Sequence, residues 1–329
     1  MRHEAVLWRS REGSSVTCGL CARRCSIAED GYGICGMRQN IKGELFTYAY
    51  GEIIAGHVDP IEKKPFYHFL PGSYAYSIAT IGCNFKCEFC QNWTISQRSV
   101  KNAGPSGHNL SPTDVVAEAI KKDCMSIAYT YTEPTIFFEY AYDISKIAKG
   151  KGLSNAFVTN GYMTPEAIDM ISPYLDAANV DLKFFKESSY REICGGSLQP
   201  VLDSIRNLKE SGVWVEITTL LIPGINDSEK ELRKITSFIA DLDEGIPWHI
   251  SRFHPDHKMN TVKPTPVETM MAAKQMGDDA GLKYVYLGNV YPSGDTICPG
   301  CKTVVDKTPD FIEISKCLKC GTLIKGAWR

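Results

Sequence analysis

Cysteine is where this sequence concentrates its chemistry. Of thirteen cysteines, Cys83, Cys87 and Cys90 form a C-x3-C-x2-C run, while Cys18, Cys21, Cys25 and Cys35 and then Cys298, Cys301, Cys317 and Cys320 form two outer quartets. An odd total and such tight spacing suit metal-thiolate centres better than disulfides. Three thiolates can hold three irons of a [4Fe-4S] cube and leave the fourth iron open to an outside ligand, whereas a cluster that only carries electrons usually has all four sites filled. The triad is therefore expected to do chemistry; a structural zinc completed by a remote histidine is the alternative. Cys298-Pro299-Gly300-Cys301 and Cys317-Leu318-Lys319-Cys320 have ribbon spacing. Each knuckle offers two thiolates to a tetrahedral ion, expected to be structural zinc, with rubredoxin-like iron as the alternative. The N-terminal quartet has ligands for zinc or for an auxiliary iron-sulfur cluster, and residues 1–45 are too few to build a core without metal. Cys124 and Cys194 have no partner spacing and read as small packing residues.

The elements that must position the triad follow a β-then-α rhythm. Short apolar runs at 76–82, 126–132, 155–159, 177–182, 213–221 and 248–253 read as strands bounded by Gly, Pro or polar residues. Helices between them begin at Ser111-Pro112-Thr113-Asp114, Thr164-Pro165, Ser228-Glu229-Lys230-Glu231 and Thr265-Pro266-Val267-Glu268, which have the chemistry of capped N-termini. Six β-α units with a parallel sheet result, either doubly wound or an open partial barrel. The triad comes directly after the first strand, at the end where parallel α/β folds place active sites.

Composition narrows the function classes. The 329 residues include 36 Lys plus Arg against 38 Asp plus Glu, a formal charge of −2, which argues against nucleic-acid binding driven by bulk charge. No signal peptide or run of 18 apolar residues is found, so a cytoplasmic location without membrane insertion is expected.

The triad, with Phe89 before its third cysteine, resembles the radical S-adenosylmethionine (SAM) superfamily. That resemblance implies a partial (β/α)6 barrel, a [4Fe-4S] cluster whose open iron is chelated by SAM, and reductive cleavage of SAM to a 5′-deoxyadenosyl radical that abstracts hydrogen from a substrate. It further implies that Glu133, in Tyr131-Thr132-Glu133-Pro134-Thr135, meets the SAM ammonium. Asn160, in Thr159-Asn160-Gly161-Tyr162, and Asp181, in Asp181-Leu182-Lys183, complete the cofactor contacts with Phe89. Lys183 and His254, the latter in Arg252-Phe253-His254-Pro255, are the catalytic candidates. Pro223-Gly224-Ile225-Asn226-Asp227 resembles a turn of glycyl-radical-enzyme activases.

Taken with Asp59-Pro60-Ile61-Glu62-Lys63-Lys64-Pro65, Gln91-Asn92-Trp93 and the outer quartets, the chain resembles the AmmeMemoRadiSam-system radical SAM family and is similar to pyruvate formate-lyase activating enzymes. The partners implied are an electron donor such as ferredoxin or flavodoxin, Memo-like and AMMECR1-like proteins, and a substrate the sequence does not identify. Val158 stands where activases of glycyl radical enzymes usually have an aspartate that helps hold a monovalent cation. The expected organisation is a Cys-rich extension and cover segment (1–72), a radical SAM barrel (73–290) and a zinc-ribbon-like tail (291–329). The quartet and residues 57–70 are expected to help close the open side of the barrel; the alternative is that the aromatics of this segment pack the first strand into the barrel. Two further readings are a glycyl-radical activase and, from another class, a nucleic-acid-binding or scaffold protein built on the ribbon with an inactive barrel.

Overall fold

The computed structural model describes residues 2–104, 106–290, 295–305 and 315–328. At its centre is one eight-stranded sheet: β1 (Ala55–Pro60), β2 (Tyr74–Ala79), β3 (Ser126–Tyr129), β4 (Ser154–Thr159), β5 (Ala177–Asp181), β6 (Trp214–Leu221), β7 (Trp248–Arg252) and β8 (Val285–Gly288). Strands β2 to β8 are parallel and lie side by side in chain order, and β1 pairs antiparallel with β2 at the free edge. Six helices cross between them: α1 (Pro112–Lys121), α2 (Phe138–Gly150), α3 (Pro165–Ile171), α4 (Leu198–Glu210), α5 (Glu229–Asp243) and α6 (Val267–Asp279). Sequential parallel order with one main helix per crossover is the open (β/α)6 barrel.

Period-2 alternation divides the strands between two environments. Outward residues such as Ile127, Phe157, Val180 and Ile217 share one core with Val116, Ile144, Val201 and Ile235 of the helices. Inward positions are small or polar. Ala75, Ala128, Ala156 and Ala177 leave room at the strand starts, and Ile61, Phe66, Phe69 and Leu70 fill it.

Of residues 57–70 expected at the lateral edge, 57–60 lie there, in β1, and the segment 61–70 is a floor inside the lower end of the barrel. Its backbone is held from within. Asn179 Nδ2 donates to Pro65 O at 2.7 Å, and the fully buried Glu216 carboxylate accepts from the backbone N–H of Tyr67 (3.0 Å) and His68 (2.9 Å).

Helix starts follow the expected chemistry at three positions: Ser111, Thr164 and Ser228 accept from the N–H of Asp114, Ala167 and Glu231. Thr265 differs. Its buried hydroxyl donates to Leu221 O and accepts from Phe253 N–H, stitching β6 to the end of β7, so α6 starts without a side-chain cap.

At the N-terminus two small antiparallel sheets, Trp8–Ser10 with Val16–Cys18 and Ser26–Ile27, and His3–Glu4 with Glu44–Thr47 and Arg38–Ile41, bury Val16, Leu20, Met37 and Leu45 in the barrel's own core. At the other end the tail packs under the barrel: Ala327 pairs with Phe69, and Tyr284 and Tyr286 share a cluster with Cys298, Cys317, Ile324 and Trp328. Residues 291–294 and 306–314 of the expected tail lie outside the described residues. Among the described residues no helix is long and apolar enough to cross a membrane.

Candidate active site

The triad loop leaves β2 through Gly82, whose φ of +102° and 2.8 Å clearance between an added Cβ and Met37 Cγ exclude any larger residue without strain. Lys86 and Glu88 N–H groups donate to Cys194 O (2.8 Å) and Ile193 O (3.1 Å), tying the loop to a single π-helical turn, Tyr190–Cys194. Such turns recur at functional sites. Sulfur hydrogen bonds are already in place: Phe85 N–H donates to Cys83 Sγ at 3.4 Å, Asn160 Nδ2 lies 3.7 Å from the same atom, and Ser96 Oγ is 3.2 Å from Cys90 Sγ. Burial pushes the Cys83 and Cys90 thiols up, and Cys87 is raised by its hydrogen bond with Cys194 and then by burial. Cys194, read from sequence as packing, is therefore a neighbour of the triad.

A cavity of about 330 Å³ opens at the C-terminal ends of the strands, and Cys83, Cys87, Cys90, Phe89, Glu133, Asn160, Asp181 and Lys183 all line it. Glu133, only 1% exposed, is engaged on both oxygens: Oε1 accepts from Thr135 N–H, Thr135 Oγ1 and Thr159 Oγ1, and Oε2 from Asn160 N–H at 2.8 Å. It makes no ion pair among the described residues, and burial holds its pKa above the ordinary carboxylate value. Asn160 is fixed from three sides, with Nδ2 on Asn84 Oδ1 (2.7 Å), Oδ1 accepting from Tyr162 N–H (3.0 Å), and its own N–H on Glu133. Asp181 and Lys183 form a 2.7 Å ion pair on one face of the β5 end. Burial works against the Lys183 charge, but Asp181 and the Cys87 sulfur outweigh it and hold the ammonium protonated. Asn226, buried in the activase-like turn, donates to Lys183 O at 2.8 Å and sets that backbone. His254 is not brought to the cavity. Phe253 takes the buried position, and His254, beyond the end of β7, is exposed.

The far wall was not legible as a unit. Asp59 accepts from Lys63 (2.6 Å), Lys64 (2.7 Å) and the Tyr131 hydroxyl, and Lys64 Nζ lies 4.1 Å over the Tyr131 ring. Burial raises the Asp59 pKa, but the hydrogen bonds from Lys63, Lys64 and Tyr131 outweigh it and hold the carboxyl far below its usual range. Tyr131 adopts φ +62° to reach this position. Each residue sits in a motif singled out above, yet the pairing spans 72 residues of chain, which spacing cannot reveal. His68 takes no part in the cavity: its ring bridges Lys325 O and Tyr286 OH, each at 2.6 Å, beneath the floor.

The two quartets differ. Ribbon sulfurs pair at 3.6 Å, Cys298 with Cys320 and Cys301 with Cys317, and all four lie within 4.8 Å of one another, close enough to share one ion. Thr303 lowers the Cys301 thiol to about 6, and Thr322 lowers Cys320 in the matching place of the second knuckle. Cys18, Cys21, Cys25 and Cys35 instead line a separate small cavity between the N-terminal sheets and the barrel.

The model of the Radical SAM superfamily matches residues 77–235. A putative glycyl-radical enzyme activating enzyme of Methanocaldococcus jannaschii is 30% identical over 224 residues, 67% of this chain and 80% of that one. The chain belongs to the radical SAM superfamily. An uncharacterized protein of the same archaeon is 39% identical over 98% of both chains. A crystal structure of a radical SAM methyltransferase from Sphaerobacter thermophilus superposes with a TM-score of 0.52 at 17% identity, over 67% of each chain, a likeness of fold. Membership of the radical SAM superfamily implies a [4Fe-4S] cluster and SAM. The residues present fit both: three thiols converge on one cavity, and beside them lies a buried carboxylate without a cation, which an ammonium would neutralise.

Proposed function

We propose that this chain is a radical SAM enzyme that uses Cys83, Cys87 and Cys90 to hold a [4Fe-4S] cluster and abstracts hydrogen from a substrate admitted to the same cavity. When bound, the cluster supplies one electron to the SAM sulfonium, which separates into methionine and a 5′-deoxyadenosyl radical. The observation that carries the reading is the convergence of the triad with Glu133, Asn160, Asp181 and Lys183 on one cavity at the strand ends. Glu133 supplies the negative charge for the SAM ammonium while its other hydrogen bonds position Asn160. Lys183 keeps a positive charge beside the cluster sulfurs, and Asp181 orients it. The floor and β1 exclude water from below and from one side, protecting a radical that solvent would quench. The ribbon holds zinc as a structural ion.

A glycyl-radical activase is the second reading, favoured by the relative named as such. Val158 lines the cavity, and its side chain offers no oxygen to a cation there. The family resemblance also supports an electron donor of the ferredoxin or flavodoxin type and Memo-like and AMMECR1-like partners. The test is anaerobic reconstitution of wild type and Cys87→Ala with SAM and dithionite. Wild type is expected to form methionine and 5′-deoxyadenosine, and the variant neither; full deoxyadenosine formation by Cys87→Ala sinks the reading.

A further inference from the structure

We propose that Cys18, Cys21, Cys25 and Cys35 hold a second [4Fe-4S] cluster and not a single metal ion. Four thiolates around one zinc at about 2.3 Å stand roughly 3.8 Å apart. The ribbon has that spacing, and among the described residues it is the group of three or more candidate ligands whose ligand atoms all lie within 4.8 Å of one another. The N-terminal quartet, although its four cysteines line one cavity, does not meet that criterion; nor does the triad. In a cube each thiolate binds a different iron, so the sulfurs are spread over its corners and stand wider than around one ion. By this internal ruler the quartet resembles the triad and differs from the ribbon.

Polar groups around the cavity point to an anionic, multi-atom occupant. Arg38 is 2% exposed; its Nη1 donates toward Cys18 Sγ at 3.7 Å, its Nη2 pairs with Glu139, and its Nε has no partner. Asn84, fully buried, lines this cavity and not the active one, and its Nδ2 donor is also unpaired. Buried donors without acceptors are costly, and cluster sulfides would accept from them. Because four cysteines fill all four irons, such a cluster has no open site for SAM or substrate and serves as a one-electron carrier. Asn84 follows Cys83 directly, so this second centre backs onto the triad loop.

The test uses the full chain with Cys83, Cys87 and Cys90 all changed to Ala, reconstituted anaerobically with iron and sulfide. About four irons and four sulfides per chain are expected to remain, with a paramagnetic signal on one-electron reduction by dithionite. Adding Cys18→Ser and Cys35→Ser should remove them. Zinc in place of that iron, or no metal at the quartet, overturns the proposal. If the triad variant does not fold, the same measurement is made by difference, wild type against Cys18→Ser/Cys35→Ser. A loss of about four irons supports the second cluster, and an unchanged iron content refutes it. Because the first variant lacks the triad, its outcome is independent of whether the triad binds a cluster.

Discussion

Glu133 is a carboxylate with four protein donors and, among the described residues, no cation, held 1% exposed at the edge of the cavity. Its raised pKa means that protonation begins at a higher pH than for a free side chain, and a bound ammonium would favour the ionised form. SAM affinity is therefore expected to rise with pH as Glu133 ionises and to fall as pH drops through its raised pKa. Calorimetric titration of SAM into cluster-loaded protein across the acid range measures this. Glu133→Gln keeps an acceptor for Thr135 and Thr159 but loses the charge. It should weaken SAM binding by roughly 1.5–3 kcal/mol, about tenfold or more, and flatten the pH dependence. Unchanged affinity would transfer the ammonium to another group. The triad thiols are also raised, so at neutral pH iron must displace protons, and cluster loading into the apoprotein should improve as pH increases. At this scale sequence spacing was informative: seven of the nine triad, SAM-contact and catalytic candidates needed only their strand-end positions to be placed, and Phe89 its motif. His254 is not among the cavity-lining residues: β7 ends at Arg252, its inward residue at that end is Ser251, and His254 lies beyond it, exposed.

The floor shows what an element gains from a barrel that is polar inside. Glu216, fully buried, accepts from Tyr67 and His68 backbone, from Trp214 Nε1 at 3.1 Å, and from His249 Nε2 at 2.6 Å. Burial raises its pKa, but the His249 hydrogen bond and charge outweigh this and keep the carboxyl below its usual value. Glu216→Ala removes the shared acceptor of two backbone N–H groups, an indole N–H and an imidazole, and about 3–5 kcal/mol of stability should be lost. Equilibrium denaturation of the metal-loaded chain checks the magnitude; a loss below 1 kcal/mol would mean the floor is held by its aromatics alone. The six strands expected from apolar runs are all present, because each is flanked by turn residues and alternates with a helix. Strand β8 was not among the expected strands, and β1 escaped notice because its Gly56, His57, Asp59 and Pro60 carry no apolar pattern. The floor itself was legible as three aromatics among charges. Its position was not, since apart from Ala75 the alanines that make room for it, Ala128, Ala156 and Ala177, come from three strands far along the chain.

Across the whole molecule, the ribbon and the active cavity occupy opposite ends of the barrel and share the floor between them. His68 and Phe69 hold the tail from below, while Lys63, Lys64 and Pro65 line the cavity above. Asp243 adds a second tie, accepting from Lys209 (2.8 Å) and Lys325 (2.7 Å). Burial pulls its pKa up, but the two lysines outweigh it and hold it far below the ordinary carboxylate value of 3.8. A depressed folded-state pKa contributes stability above the unfolded value, lost as pH falls below it. Tail docking should thus be pH-independent near neutrality and loosen below about pH 4, and Asp243→Asn should remove that acid sensitivity. Hydrogen exchange at 315–328 reads both this and chelation of the ribbon metal, which is expected to release the tail while β3 to β6 stay protected.

The floor also sets an order of events for the nascent chain. Tyr67 waits for Glu216, 149 residues later, and His68 for Lys325, 257 residues later. At 5–20 residues per second the second interval is roughly 13–50 s, far longer than local collapse. Until the central strands are made, Phe66 and Phe69 have nothing to fill, because the barrel they belong inside does not yet exist. These aromatics are synthesised first and sheltered last, so ribosome-bound chains that stop short of β6 expose a sticky segment, and the closing step of assembly belongs to the C-terminus.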